Sequence, residues 1–263
     1  PNAVVLGLSQ NPVTGLLVAA THGRGIFAIT TGAPANAVPR FRSVANAAGF
    51  EAGPLAPGMV ASLFGSNLAA STATAAGVPL PSSLAGVALL VNNVAAPLFF
   101  VSPGQINFQV PYEVAAESIV ELRLANAAGA AVMQVPWRPA SPGIYQNAGR
   151  GVILHSGGSL VSESAPAARG EELVMYVSGL GVVAPATASG VPAPLSPLAL
   201  TPSLPLVRVG GLVAETRFSG LAPGFVGLYQ VNFVVPPGAA GQTTVSLVMN
   251  GVPSNTVPLH VQP

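Results

Sequence analysis

Apolar and polar residues alternate along this chain in short runs, and glycine, proline and asparagine cut the runs before any could complete a long helix. From Ile119 to Leu124 the alternation is clean. Val120, Leu122 and Leu124 share one face, while Ile119, Glu121 and Arg123 share the other, as a half-buried strand requires. The same reading predicts strands over 59–64, 87–91, 97–101, 105–110, 119–124 and 131–135. It predicts further strands over 151–154, 172–177, 206–209, 214–218, 227–235, 243–249 and 257–261. Turn chemistry separates them: Gly65-Ser66-Asn67, Asn92-Asn93, Ser102-Pro103-Gly104, and above all Asn250-Gly251, a strong hairpin signal. Short strands at this spacing predict an all-β sandwich architecture. Residues 183–205, rich in Pro, Ala and Ser, read as a long loop or edge segment. Residues 1–32 read as a β-hairpin segment, and 33–42, made of small residues and proline, as a linker.

The pattern occurs twice. Gln105-Ile106-Asn107-Phe108-Gln109-Val110-Pro111 returns as Gln230-Val231-Asn232-Phe233-Val234-Val235-Pro236. Gly58, Phe64, Ser66 and Leu68 match Gly170, Tyr176, Ser178 and Leu180 at a constant offset. Pro103-Gly104 matches Pro223-Gly224, after which the second copy carries the longer Phe225-Val226-Gly227-Leu228. Two copies of one β unit in tandem follow, over 43–141 and 142–263, with Ser141-Pro142-Gly143-Ile144-Tyr145 between them.

Composition narrows the function classes. Charged residues are 6% of the chain, against about 25% in an ordinary soluble domain. There is no Lys and no Asp, so the nine cations are Arg and the eight anions Glu. A net charge of +1 without a basic run gives nucleic acid no electrostatic footprint. A surface this poor in charge has little repulsion to hold copies apart, which points equally towards assembly or attachment to a larger body and towards a composition bias of the source genome. Thirty Gly and 27 Pro disfavour long helices. With no Cys, neither a disulfide nor a Cys-ligated metal site can form. No apolar run reaches the ~18 residues of a membrane-spanning helix. The chain opens on Pro1 rather than Met, and reads as a processed product or as part of something longer.

Candidate chemistry is sparse. A Ser-His-Asp triad lacks its Asp, although Glu could substitute, and no Gly-x-Ser-x-Gly elbow occurs. His22, His155 and His260 lie far apart in sequence. His155-Ser156-Gly157-Gly158 reads as a turn, and His260 as a half-exposed strand position. Glu171-Glu172 is the one acidic pair, and adjacent strand residues face opposite ways, so no metal site is expected there. Gly179-Leu180-Gly181 lacks the Lys of a phosphate loop. No catalytic, cofactor-binding or metal-ligating residue is therefore assigned, and no cofactor is expected. Phe99, Phe100, Phe108, Tyr145, Phe218, Phe225, Tyr229 and Phe233 could form a sugar-stacking platform. Phe108 and Phe233 read instead as core, and Trp137 as a domain-junction residue. Asn107 and Asn232 read as edge caps or partners of a turn backbone, with a ligand role as the less favoured alternative.

Several long motifs resemble one family: Val44-Ala45-Asn46-Ala47-Ala48-Gly49-Phe50, Leu63-Phe64-Gly65-Ser66-Asn67-Leu68, Phe100 through Pro111, and Phe218 through Asn232. It is the uncharacterised C-terminal domain of large exported proteins of Solibacter-type acidobacteria, and the resemblance covers roughly 42–262. It implies tandem immunoglobulin-like β-sandwiches, a secreted or cell-surface location and no transferable catalytic residues. Ala20 through Phe27 also resembles the last blade of a sialidase-repeat β-propeller, but one blade cannot close a propeller.

The expectation is an all-β chain of two tandem immunoglobulin-like sandwiches with an N-terminal β-hairpin segment. It is expected to act as a non-enzymatic extracellular structural or adhesion module, self-associating into a surface assembly or fibre through its N-terminal strands. The alternative is a carbohydrate- or protein-binding accessory module of a larger exported protein. The expected partners are other copies or neighbouring domains, with carbohydrate left open.

Overall fold

The structure is a computed structural model. It describes the backbone of residues 5–11, 16–21 and 25–30, and residues 38–126 and 129–263 in full. The predicted N-terminal hairpin is a three-stranded antiparallel sheet of Val5–Asn11, Leu16–Thr21 and Gly25–Thr30. Residues 12–15 of the predicted turn cluster, and His22, lie outside the described residues.

Two immunoglobulin-like β-sandwiches follow. In the first, one sheet runs in the order Arg40–Asn46, Val60–Ser66, Gln105–Gln109, Leu98–Val101, Ala73–Thr74. The facing sheet is Gly129–Pro136, Ile119–Asn126, Leu89–Val91, Val94–Ala95. Arg40–Asn46 starts inside the stretch read as linker: its apolar positions are few, and its place comes from pairing with Val60–Ser66. The alternation predicted at Ile119 holds, with Ile119 57% exposed and Val120, Leu122 and Leu124 buried.

The second sandwich repeats the first. Glu172–Ser178, Tyr229–Val234 and Thr216–Leu221 stand in the order of Val60–Ser66, Gln105–Gln109 and Leu98–Val101. The segment predicted as one strand over 214–218 is two, Leu212–Ala214 and Thr216–Leu221, on different sheets. Equivalent hydrogen bonds recur as well: Gly58 N–H donates to Val110 C=O at 2.9 Å, and Gly170 N–H to Val235 C=O at 2.9 Å. Both glycines have φ above +70°, which explains why glycine stands at that position in both copies. Asn250 and Gly251 close a hairpin with both φ values positive, as a type I′ turn demands.

Each sandwich has its own core. Leu63, Ile106, Phe108, Leu122 and Trp137 belong to one cluster, and Met175, Tyr229, Val231, Phe233 and Leu247 to the other. Phe108, Tyr229 and Phe233 are therefore core, because their strands turn them between the sheets. Among the described residues no helix is long and apolar enough to cross a membrane.

Candidate functional site

The Gln-x-Asn of the repeat is placed by the strand on which it sits. In Gln105–Gln109, Ile106 and Phe108 point inward and are fully buried, so Gln105 and Asn107 face outward. Asn107 stands opposite Ser62 on one side and Phe100 on the other, and Gln105 stands opposite Phe64. In the second sandwich Asn232 stands opposite Val174 and Phe218, and Gln230 opposite Tyr176 and Gly220. Each sandwich thus presents an outward quartet at the same register: aromatic, Gln, Asn, Phe.

A β-bulge recurs at the same place in each. The register shifts between Asn107 and Phe108, leaving Phe99 unpaired, and between Thr216 and Phe218, leaving Arg217 unpaired. The extra residue lets Leu98 and Val101 both enter the core while Phe100 faces out. Without it, Phe99 would stand opposite Phe108 and Leu98 would be turned out of the core.

The amides bond to each other. Gln105 Nε2 donates to Asn107 Oδ1 at 2.7 Å, and Gln230 Nε2 to Asn232 Oδ1 at 2.8 Å. Ser62 Oγ also donates to Asn107 Oδ1, at 3.0 Å. The expectation that these asparagines cap an edge or bond a turn backbone is corrected: their partners are side chains on the open face, because strand parity aims them away from the backbone of neighbouring turns. Among the described residues no protein group bonds Gln105 Oε1 or Asn107 Nδ2, so one acceptor and one donor group remain between two half-buried rings. In the second sandwich Asn232 Nδ2 donates to Glu172 Oε1 at 3.0 Å, and Arg217 donates to Glu172 at 3.2 Å and to Glu215 at 3.3 Å. Two Glu around one Arg leave that end without surplus positive charge.

The sandwiches meet end to end. Val60 N–H donates to Ser178 Oγ at 2.9 Å, joining the start of one strand to the end of its counterpart. Asn46 Nδ2 donates to Ser141 C=O at 2.8 Å, and its side chain lies against Gly143 and Gly179. From the long loop, Gly190 N–H donates to Gln109 Oε1 at 2.6 Å, and Ser189 Oγ to Glu113 Oε2 at 2.6 Å. Tyr229 O–H donates to Gly181 C=O, which uses its one proton, so Tyr112 O–H donates to Tyr229 Oη at 3.0 Å. Burial pushes the Tyr112 phenol up to about 12 and the Tyr229 phenol well above its ordinary value, so both keep these protons near neutrality. Trp137 is 5% exposed and, with Pro57 and Pro139, faces Leu180, Pro202 and Met249 across a cavity of about 250 Å³. That is the junction position read from its Pro-flanked sequence. The cavity lining includes no titratable side chain.

His155 ends the Ile153–His155 strand, and Gly158 N–H donates to its C=O at 2.9 Å, forming the predicted turn. What the sequence did not show is its partner. Nδ1 lies 2.6 Å from Glu171 Oε1, and Nε2 lies 3.1 Å from Ala165 C=O. Both partners only accept, so the ring satisfies both as an imidazolium. Glu171 Oε2 accepts from Ala168 N–H at 2.8 Å, so the ion pair ties loop 156–170 down. Glu171 therefore turns away from Glu172, whose partners are Asn232 and Arg217. The hydrogen bond to Glu171 raises the His155 pKa above its ordinary value of 6.5. A folded pKa above the unfolded one gives stability that is full below about 6.5 and is lost as pH rises through the raised folded value. Urea midpoints are expected to fall on going from pH 6 to pH 9, with His155→Gln flattening that dependence. Equal slopes in the two proteins would refute the clasp. His260 is half-buried in Val257–Val261, as expected.

No family model and no curated protein matches the chain. Among solved structures it is similar to SGBP-B of the Bacteroides ovatus mixed-linkage glucan utilization locus, in complex with a mixed-linkage heptasaccharide. That match has 14% identity and a TM-score of 0.37, over 94% of this chain and 52% of that one. It is also similar to SGBP-B from a Bacteroides uniformis xyloglucan utilization locus, at 13% identity and a TM-score of 0.27, over 85% and 49%. A third is the I9–I11 tandem of titin, at 12% identity and a TM-score of 0.21, over 96% and 75%. The chain spans about half the length of the two SGBP-B chains. These are likenesses of fold, and fold alone does not transfer a ligand.

Proposed function

We propose that the chain is a non-enzymatic accessory module of an exported protein, and that the outward sheet face of its sandwiches holds carbohydrate. One observation carries this reading: the aromatic–Gln–Asn–Phe quartet stands at the same register, beside the same bulge, in both copies. The core has no use for these side chains, because they face away from it. Aromatic rings offer flat apolar area to the C–H face of a sugar, and amides both donate and accept towards its hydroxyls. The non-enzymatic part rests on placement. His155 and Glu171 are spent on tying a loop, and the junction cavity is lined without a carboxylate or histidine. The resemblance to the acidobacterial C-terminal domain family supports a secreted or cell-surface site.

Purified chain on a glycan array is expected to retain sugars, and Phe64→Ala combined with Tyr176→Ala to lose at least about 1–3 kcal/mol of binding, as removal of stacking anchors does. Full retention by the double variant would remove the quartet from the site.

A second reading, self-association through the N-terminal strands, has one observation behind it. Among the described residues Val5–Asn11, Leu16–Thr21 and Gly25–Thr30 pair only with one another, which leaves two strand edges open to a neighbour. Light scattering of the chain with and without residues 1–32 tests it: large species that vanish on truncation support it, and two monomers refute it.

A further inference from the structure

We infer that the two quartets act together on one molecule, and that the ligand is a neutral polysaccharide with a repeating unit rather than a mono- or disaccharide. This rests on the carbohydrate reading above and deepens it. Three observations carry it.

The first is equivalence. Phe64, Gln105, Asn107 and Phe100 correspond in pairing register to Tyr176, Gln230, Asn232 and Phe218. Two sites of the same make select the same unit, and a ligand that fills both must repeat that unit. The second is the fixed junction. Val60 is bonded to Ser178, Asn46 to Ser141, and Gln109 to Gly190, so the sites do not drift relative to one another. Along the joined strands, Tyr176 is two residues from Ser178 and Val60 is four from Phe64, so at roughly 3.3 Å per residue, with about 6 Å for the Ser178–Val60 link, the Cα atoms of Tyr176 and Phe64 lie no more than about 26 Å apart. A second binding event at a fixed short span is intramolecular, and its ordering cost has already been met by the fold. The third is charge. The first quartet carries no ionic group. At the second, Arg217 is already matched by Glu172 and Glu215. Within the quartets themselves a uronic-acid or sulfated polymer would find no unmatched cation, although Arg40 and Arg42 are exposed on the strand that pairs with that of Phe64.

The test is titration calorimetry of the full chain against soluble neutral β-glucan, α-glucan and mannan, and against tetrasaccharides cut from each, with concentrations counted per tetrasaccharide unit. The polymer that binds is expected to do so at least about 30-fold more tightly than its own tetrasaccharide. Phe64→Ala or Tyr176→Ala alone is expected to reduce polymer affinity to the tetrasaccharide level. Gln105→Ala and Gln230→Ala serve as the second pair of single variants, with melting temperature as the check on folding. If polymer and tetrasaccharide bind equally well, or if each single variant keeps full polymer affinity, the joint action is wrong while the carbohydrate reading stands. If neither polymers nor tetrasaccharides bind, the carbohydrate reading itself fails, and this inference with it. Tighter binding of a uronic-acid polymer, run as a control, would overturn the assignment to neutral chains.

Discussion

Phe233→Ala is expected to lower the unfolding temperature of the second sandwich by about 10 °C or more. Phe233 is fully buried in the Tyr229–Val234 strand, opposite Leu173 and Thr216. Truncating a buried Phe removes its transfer free energy and leaves a cavity that the sheets cannot close, at a cost of about 3–5 kcal/mol. In a unit of roughly 100 residues each kcal/mol shifts the midpoint by about 4 °C or more. Phe108→Ala is the matched change in the first sandwich, since Phe108 holds the same place in the other core cluster. Because the clusters are separate, calorimetry is expected to show each variant depressing the melting of its own sandwich first. A shift under about 3 °C for either variant would falsify the placement of that ring at the centre of its core.

Gly179→Ala is expected to separate the sandwiches while leaving each one folded. Gly179 has φ +79°, and a Cβ there would land on the Ser141 carbonyl, the same carbonyl that accepts from Asn46. Ser141 N–H also donates to Gly179 C=O at 2.8 Å, so neither segment can move aside without breaking that bond. Left-handed strain and the backbone collision together cost at least about 2 kcal/mol. Trp137 is the single tryptophan of the chain and lines the junction cavity, so it reports the event directly. Its emission is expected to shift to longer wavelength, and the radius of gyration in X-ray scattering to rise. In the same variant the gain of polymer over tetrasaccharide is expected to shrink, while tetrasaccharide affinity holds. Unchanged emission and scattering would show that the junction tolerates the methyl group.

Much of the fold was legible because strand period and turn chemistry are local. Ile119 to Leu124 announced its faces by alternation, and Asn250-Gly251 announced a hairpin. The outward site was only half legible. The repeated Gln-x-Asn was plain, but its aromatic flanks were not. In Leu98-Phe99-Phe100-Val101 every residue is apolar, so no alternation marks which ring faces out. The bulge decides it, and a bulge belongs to two paired strands rather than to either one. Phe64 and Tyr176 were visible as matched positions, yet nothing local placed them beside Gln105 and Gln230.

By itself, then, the sequence determined the all-β class, the duplication, the core role of Phe108 and Phe233, and the junction position of Trp137. These follow from side-chain period, from glycine and proline placement, and from self-comparison. Tertiary structure alone decided that Asn107 and Asn232 bond to Gln rather than to a turn backbone, and that His155 clasps Glu171 across 16 residues of chain. It also decided that Ser178 anchors Val60 from 118 residues away. Such contacts depend on register and docking between segments remote in sequence, and a composition of strands and turns leaves that information unspecified until the sheets close.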